Sequence, residues 1–170
     1  PALLDQLRSQ VVKSSISWEI LVCDNNSVDE TAAVVRQYQE SWSPPARLKY
    51  VFAAEQGAAF ARQRAVEQAR GAIVAFLDDD NIPDCYWVEK VYEFAQVHPQ
   101  AGAFGSQIHG NFESSLPDGF EKIACFLAVI ERGSEPQLYQ PKTKILPPGA
   151  GLAVRRQVWL DAVPKRLFLN

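Results

Sequence analysis

The chain has 170 residues, a formal charge of −3, and a composition that is 47% hydrophobic and 22% charged. This balance suits one globular domain with a sizeable core and excludes a disordered chain. The slight acidity argues against nucleic acid as a partner, which calls for a basic face, and no apolar run approaches the ~20 residues of a membrane-spanning helix. Cys23, Cys85 and Cys125 are odd in number, widely spaced and set in apolar surroundings. They read as reduced, mostly buried thiols of a cytoplasmic protein, not as a disulfide set or a zinc site.

Residues 2–13 read as a helix, with Leu3, Leu4, Leu7, Val11 and Val12 on one stripe. A strand is expected at 18–23, then a helix at 28–41, with Ser27 as N-cap and Glu30 three residues on as a capping box. Ser43-Pro44-Pro45 is a loop. Next come a strand at 48–53, a helix at 58–70 stopped at Gly71, a strand at 72–77, a helix at 84–97 ending near Pro99, and a strand at 101–107. The alternation implies an α/β fold with right-handed βαβ units and a mostly parallel sheet flanked by helices. After residue 108 it stops. Residues 109–118 are a polar loop, 119–131 read as a helix with Phe120, Ile123, Ala124, Leu127 and Ile130 on one face, and 134–144 form a second loop. Residues 145–154 are broken by Pro147-Pro148-Gly149. The chain thus divides into a βα half, 1–107, and a second half of the same domain, 108–170.

Asp78-Asp79-Asp80 directly follows the apolar run from Ala72 to Leu77, which reads as a strand buried on both faces. Open α/β sheets bind ligands beyond the carboxyl ends of their strands. Three acids there repel one another unless they share a cation, and a hard divalent ion completed by phosphate oxygens and water fits that place. The alternative is a solvated acidic turn in which Asp80-Asn81 caps the next helix. Asp24 ends the first strand at the same edge. As an acceptor-only carboxylate it suits reading an N–H donor, or else it shapes the turn with Asn25.

Taken in order, Trp18 to Cys23 running into Asp24-Asn25-Asn26-Ser27, Glu55-Gln56-Gly57 followed by Ala61-Arg62-Gln63, Phe76 to Asp80 with Pro83 and Trp87, and Gly149-Ala150-Gly151 before Arg155-Arg156 resemble the family 2 glycosyltransferases of GT-A fold. The likeness covers about residues 1–165 and is nearest to bacterial enzymes of surface polysaccharide synthesis. It implies a Rossmann-like nucleotide-sugar domain. Asp24 would accept a hydrogen bond from the nucleotide base, and Arg62 would lie beside that base. Asp78 and Asp80 match the two acids of the D-x-D motif: Asp80 would bind manganese or magnesium, and Asp78 would face the ribose or share the metal. Gly149, Ala150 and Gly151 would line the sugar and acceptor side. The donor would be a nucleotide-diphosphate sugar and the acceptor a saccharide or a lipid-linked one. The enzyme would act in the cytoplasm or at the inner face of the membrane, inverting the anomeric centre.

The chain departs from the family pattern where Glu55 and Gln63 replace Asn, Ala65 replaces Gly, and Gly151 replaces a common Asn. No residue matches the family's general base; Glu113, Asp118 and Glu121 are acids in the appropriate half. The resemblance also implies a buried strand ahead of residue 2 and a base motif beyond Asn170, so the chain reads as a fragment. A sheet without that strand would leave unpaired backbone groups on its neighbours. Arg155 and Arg156 would face phosphates or cap the following helix. His98 and His109 read as surface or loop residues. The 120–130 face would pack on the sheet or touch a membrane peripherally, and the scarcity of nearby cations favours the sheet. Two other functions stay open: a sugar-nucleotide nucleotidyltransferase, and an inactive nucleotide-sugar-binding fragment.

Overall fold

The structure, a computed structural model of the chain, describes residues 1–43, 45–129, 133–139 and 147–164. Its helices are α1 (Ala2–Arg8), α2 (Thr31–Glu40), α3 (Ala58–Gln68), α4 (Trp87–Val97) and α5 (Arg156–Ala162). Its strands are β1 (Glu19–Asp24), β2 (Arg47–Phe52), β3 (Ile73–Ala75), β4 (Ala103–Gly105) and β5 (Leu152–Arg155).

β1 and β2 pair in parallel, with Glu19 opposite Arg47 and Asp24 opposite Phe52. The expected parallel order holds for this pair only. β3 and β4 run in the same direction, but each pairs with β5, which lies between them and runs antiparallel to both. A strand from the far end of the chain thus sits inside a sheet begun by the first half.

α3 ties the two sheets together. The Cys23 thiol at the end of β1 donates to the Ala61 carbonyl at 3.2 Å, while Val66 of the same helix is fully buried against Phe76 and Val154. A second cluster joins Leu4, Leu7, Ile20 and Ala46, with Leu77 packed against it. A third joins Ala95, Phe104 and Ala153 between α4 and the second sheet.

The β1 edge of one sheet and the β3 edge of the other, like the β2 and β4 edges, carry no further strand among the described residues. The Ala53 N–H donates to the Asp24 carbonyl, so alternate residues Asp24, Val22 and Ile20 turn their backbone groups towards β2, and those of Leu21 and Cys23 point the other way. Phe76 exchanges bonds with the β5 segment, so the backbone groups of Ile73 and Ala75 point away from β5. No further strand pairs with either edge among the described residues.

Several sequence expectations change. α1 stops at Arg8 because the next residues are diverted onto α4. Gln10 donates to the Asp84 carbonyl and accepts from the Val88 N–H, the Val11 N–H donates to Cys85, and Lys13 pairs with Glu89 and Glu93. The capping box at Ser27 does not form. The Ser27 N–H is taken by Asp24, and Asp29 Oδ1 accepts from both the N–H and the hydroxyl of Thr31, so α2 begins later. The helix expected at 119–131 is two short 3₁₀ turns, Phe120–Lys122 and Ala124–Leu127, broken at Ile123 and ended by Ala128 at φ 61°. Its apolar face is only partly covered: Ile123 and Leu127 are exposed, Ala124 is half-buried, Phe120 is half-buried edge-on against the Phe112 ring, and Ile130 falls outside the described residues. The cysteines are free thiols as expected, but Cys85 and Cys125 are exposed and only Cys23 is partly buried. No helix among the described residues is long and apolar enough to cross a membrane.

Candidate active site

Asp24 is one of two buried charged or polar residues among those described. Its Oδ2 accepts from the Tyr50 hydroxyl at 2.6 Å and its Oδ1 from the Ser27 N–H at 2.9 Å. Burial pushes the carboxyl up, but the hydrogen bonds from Tyr50 and Ser27 outweigh it and hold the group below the usual carboxylate range. Asp24 therefore shapes its turn as an anion and keeps lone pairs for a further donor. Beside it, Asn25 donates to the Glu55 carbonyl and accepts from the Gly57 N–H. This pins the loop after β1 to the loop that starts α3, where Gly57 takes φ 131°, open only to glycine. A hollow of about 270 Å³ lined by Ala32, Arg36, Gln39 and Tyr50 shares Tyr50 with this site.

The acidic triplet is folded by Asn81. Its Oδ1 accepts from the Asp78 N–H, its own N–H donates to the Asp78 carbonyl, and its Nδ2 donates to Asp80 Oδ1. Asp78, Asp79 and Asp80 are all exposed on this turn. Arg62, in the second turn of α3, reaches Asp78 Oδ1 at 3.3 Å, with its guanidinium carbon 5.8 Å from the centre of the Phe76 ring. The Gly149 backbone lies against the same guanidinium. The Gly151 N–H donates to the Phe76 carbonyl at 2.8 Å, and its carbonyl accepts from Ser106. Gly149, Ala150 and Gly151 therefore sit at the end of β3, two residues before the acids. Asp24 ends β1 and Asp78 follows β3 by three residues, in separate sheets; Cys23 meets α3 at Ala61 and Asp78 meets it at Arg62, so both acids lie beside the first turns of α3.

The donor chemistry of the triplet fits a hard divalent ion. Asp78 and Asp80 present exposed carboxylates on one tight turn, and one oxygen of each accepts no hydrogen bond among the described residues. Among the described residues no three His, Cys, Asp or Glu side chains are grouped so as to hold an ion by themselves. An ion held by Asp78 and Asp80 would complete its coordination with phosphate and water.

Other candidates lie elsewhere. Arg155 donates to the carbonyls of Ala95, His98 and Ala101 at the C-terminus of α4. Arg156 donates to Val66 and Glu67 at the C-terminus of α3. Both cap preceding helices rather than phosphates or the helix that follows, because the unsatisfied carbonyls and negative pole of a helix end draw a cation. His98 packs on the Phe94 ring and His109 is exposed on a loop. Glu113, Asp118 and Glu121 are exposed. Tyr50 escaped the sequence reading, whereas Asn25 and Asn81 were read only as turn or cap residues. Tyr50 reaches Asp24 only through the β1–β2 register, which no local pattern reveals. Asn81, three residues after Asp78, was legible as a turn residue.

The fold is that of an α/β domain with its candidate site beyond the carboxyl ends of β1 and β3. The Glycosyl transferase family 2 profile matches residues 1–158, and the chain belongs to that family. It is 34% identical over 117 residues to the glycosyltransferase AglE of Haloferax volcanii, covering 68% of this chain and 36% of AglE. It is 34% identical over 106 residues to the UDP-Glc:alpha-D-GlcNAc-diphosphoundecaprenol beta-1,3-glucosyltransferase WfgD of Escherichia coli, covering 62% of this chain and 38% of WfgD. The chain thus spans little more than a third of either relative. Its fold matches S. aureus TarS 1–349, solved in complex with UDP, at a TM-score of 0.66 and 19% identity, over 94% of this chain and 44% of that one.

Proposed function

We propose that this chain carries the donor site of a glycosyltransferase that moves a sugar from a nucleotide-diphosphate sugar to an acceptor hydroxyl, inverting the anomeric carbon, in surface or extracellular polysaccharide synthesis. The observation that carries this reading is the meeting of Arg62, Asp78 and the Gly149–Gly151 backbone at the carboxyl end of β3, with Asp24 at the matching end of β1. The UDP-glucose donor and undecaprenol-linked acceptor in WfgD's name support the donor class and a lipid-linked or saccharide acceptor. In this reading the enzyme works in the cytoplasm or at the inner face of the membrane.

In this reading the ionised Asp24, held by Tyr50 and Ser27, accepts the imide N–H of the base. Arg62 lies beside the nucleotide, and Asp78 faces the ribose. Asp80 would hold magnesium or manganese, with Asp78 facing the ribose or sharing the ion, and the ion would supply charge neutralisation for the departing diphosphate. The bare Gly149–Gly151 backbone lets the sugar come close. The acceptor oxygen bonds to the anomeric carbon as the bond from that carbon to the phosphate oxygen breaks, and the acceptor proton passes to a base outside the residues assigned here.

Calorimetric titration with UDP, GDP and dTDP, with and without manganese, tests the reading. Metal-enhanced binding of at least one nucleotide is expected. Binding of none would sink it.

A further inference from the structure

Gly149 and Arg62 are far apart in sequence and in contact in the fold. A Cβ placed on Gly149 would lie 2.8 Å from both the guanidinium carbon and Nη1 of Arg62, closer than any real side chain tolerates. Backbone conformation does not explain this glycine. Gly57, Gly119, Gly133 and Gly151 are the described glycines with positive φ, and Gly149 is not among them. The glycine at 149 is there for space.

The backbone around it is held from several sides. The Leu152 N–H donates to the Gly149 carbonyl, and the Gly151 N–H donates to Phe76. The Gly151 carbonyl accepts from both the N–H and the hydroxyl of Ser106, and that hydroxyl in turn accepts from the Trp87 indole at 3.0 Å. With the backbone fixed, any side chain added at 149 displaces the Arg62 guanidinium. That group is the free end of a long side chain, and its holds here are Asp78 and the Phe76 ring.

We propose that Gly149 is a positioning residue: its bare backbone is the seat that aims the Arg62 guanidinium at Asp78, and through Arg62 it sets the affinity for a nucleoside diphosphate. The inference rests on the donor-site reading and adds a determinant to it. Because the clash is with a flexible side-chain end, Gly149→Ala moves the arginine and spares the fold.

A double-mutant cycle on the full chain tests it, with calorimetry of UDP in manganese and thermal melts for all four proteins. Gly149→Ala should weaken UDP by about tenfold or more, the scale of a lost charge-assisted contact, with little change in melting temperature. In the Arg62→Ala background the same substitution should cost nothing further. A general packing role would lower affinity in both backgrounds. Should Gly149→Ala fail to fold, recovery in the Arg62→Ala/Gly149→Ala protein supports the seat and failure there overturns it. If the wild-type chain binds UDP and Gly149→Ala binds equally well, or the loss persists without Arg62, the positioning role falls and the donor site stands. If the wild-type chain binds none of UDP, GDP and dTDP, both fall; if it binds only GDP or dTDP, the same cycle is read with that nucleotide.

Discussion

The Tyr50 hydroxyl donates to Oδ2 of Asp24 across 2.6 Å, so neighbouring strands of the parallel pair share one charged hydrogen bond at the head of the site. Asp24 is held below the usual carboxylate range, with the hydrogen bonds outweighing the upward push of burial. A depressed carboxylate contributes its full stability above its unfolded value of about 4 and loses it as pH falls through the folded value. Tyr50→Phe should therefore destabilise the chain by about 1.5–3 kcal/mol near neutral pH, and the difference should narrow below about pH 4. Urea melts across that window check the sign; a difference that grows on acidification would contradict it.

Adjacent arginines serve two different helices. Arg155→Ala should cost stability through the carbonyls at the end of α4, and Arg156→Ala through those at the end of α3. Each loss should be about 1–2 kcal/mol, the scale of a charged group at a helix C-terminus. Neither should weaken nucleotide beyond what the lost stability explains. Melts paired with UDP titration decide, and a large affinity loss in a stably folded variant would return these residues to the phosphates.

Asp80→Asn replaces a carboxylate on the Asn81-folded turn with a neutral amide that cannot balance a cation's charge. The expected result is loss of most of the manganese- or magnesium-dependent part of nucleoside diphosphate affinity, with the fold intact. Calorimetry with and without metal reads it directly, and an unchanged metal increment would refute the assignment.

The Glu93 carboxyl is lowered to about 2, first by its hydrogen bond from Lys13 and then by that from Lys90. Its contribution is complete above about pH 4.3 and is lost as pH falls through about 2. Lys13→Ala should move the Glu93 titration upward in an NMR pH series while Lys90 still holds part of the shift. High salt should produce a weaker version of the same change. No movement would mean that Lys13 is solvated in solution.

The open edges predict a two-residue rhythm in hydrogen exchange. Amides of Leu21 and Cys23, directed away from β2, should exchange faster than those of Val22 and Asp24. Uniform protection along β1 would show that something covers that edge.

Much of this architecture was readable because its signals are local. The apolar runs at 19–24 and 73–76, the glycine entry to α3 and the acids after Phe76 each announce themselves within a few residues. The failures have a common cause in distant partners. α1 is shortened by α4 residues that claim Gln10, Val11 and Lys13. The Ser27 cap is lost to a carboxylate on the preceding strand. β5 follows two prolines, and only its insertion between β3 and β4 makes it a strand. Of the face read at 120–130, Ile123 and Leu127 stay exposed, and amphipathic pattern alone does not sustain a helix.

The position of β5 also dictates a timetable. Ile73 must wait for Arg155 to be made, about eighty residues later. At ribosomal rates of roughly 5–20 residues per second, that delay is on the order of 4–16 seconds. The β1–β2 pair can close long before, but among the described strands β3 and β4 have no partner until β5 emerges. The growing polypeptide therefore carries the acids of residues 78–80 on an unfinished scaffold until residues 149–155 are made, and the seat beneath Arg62 cannot form before then.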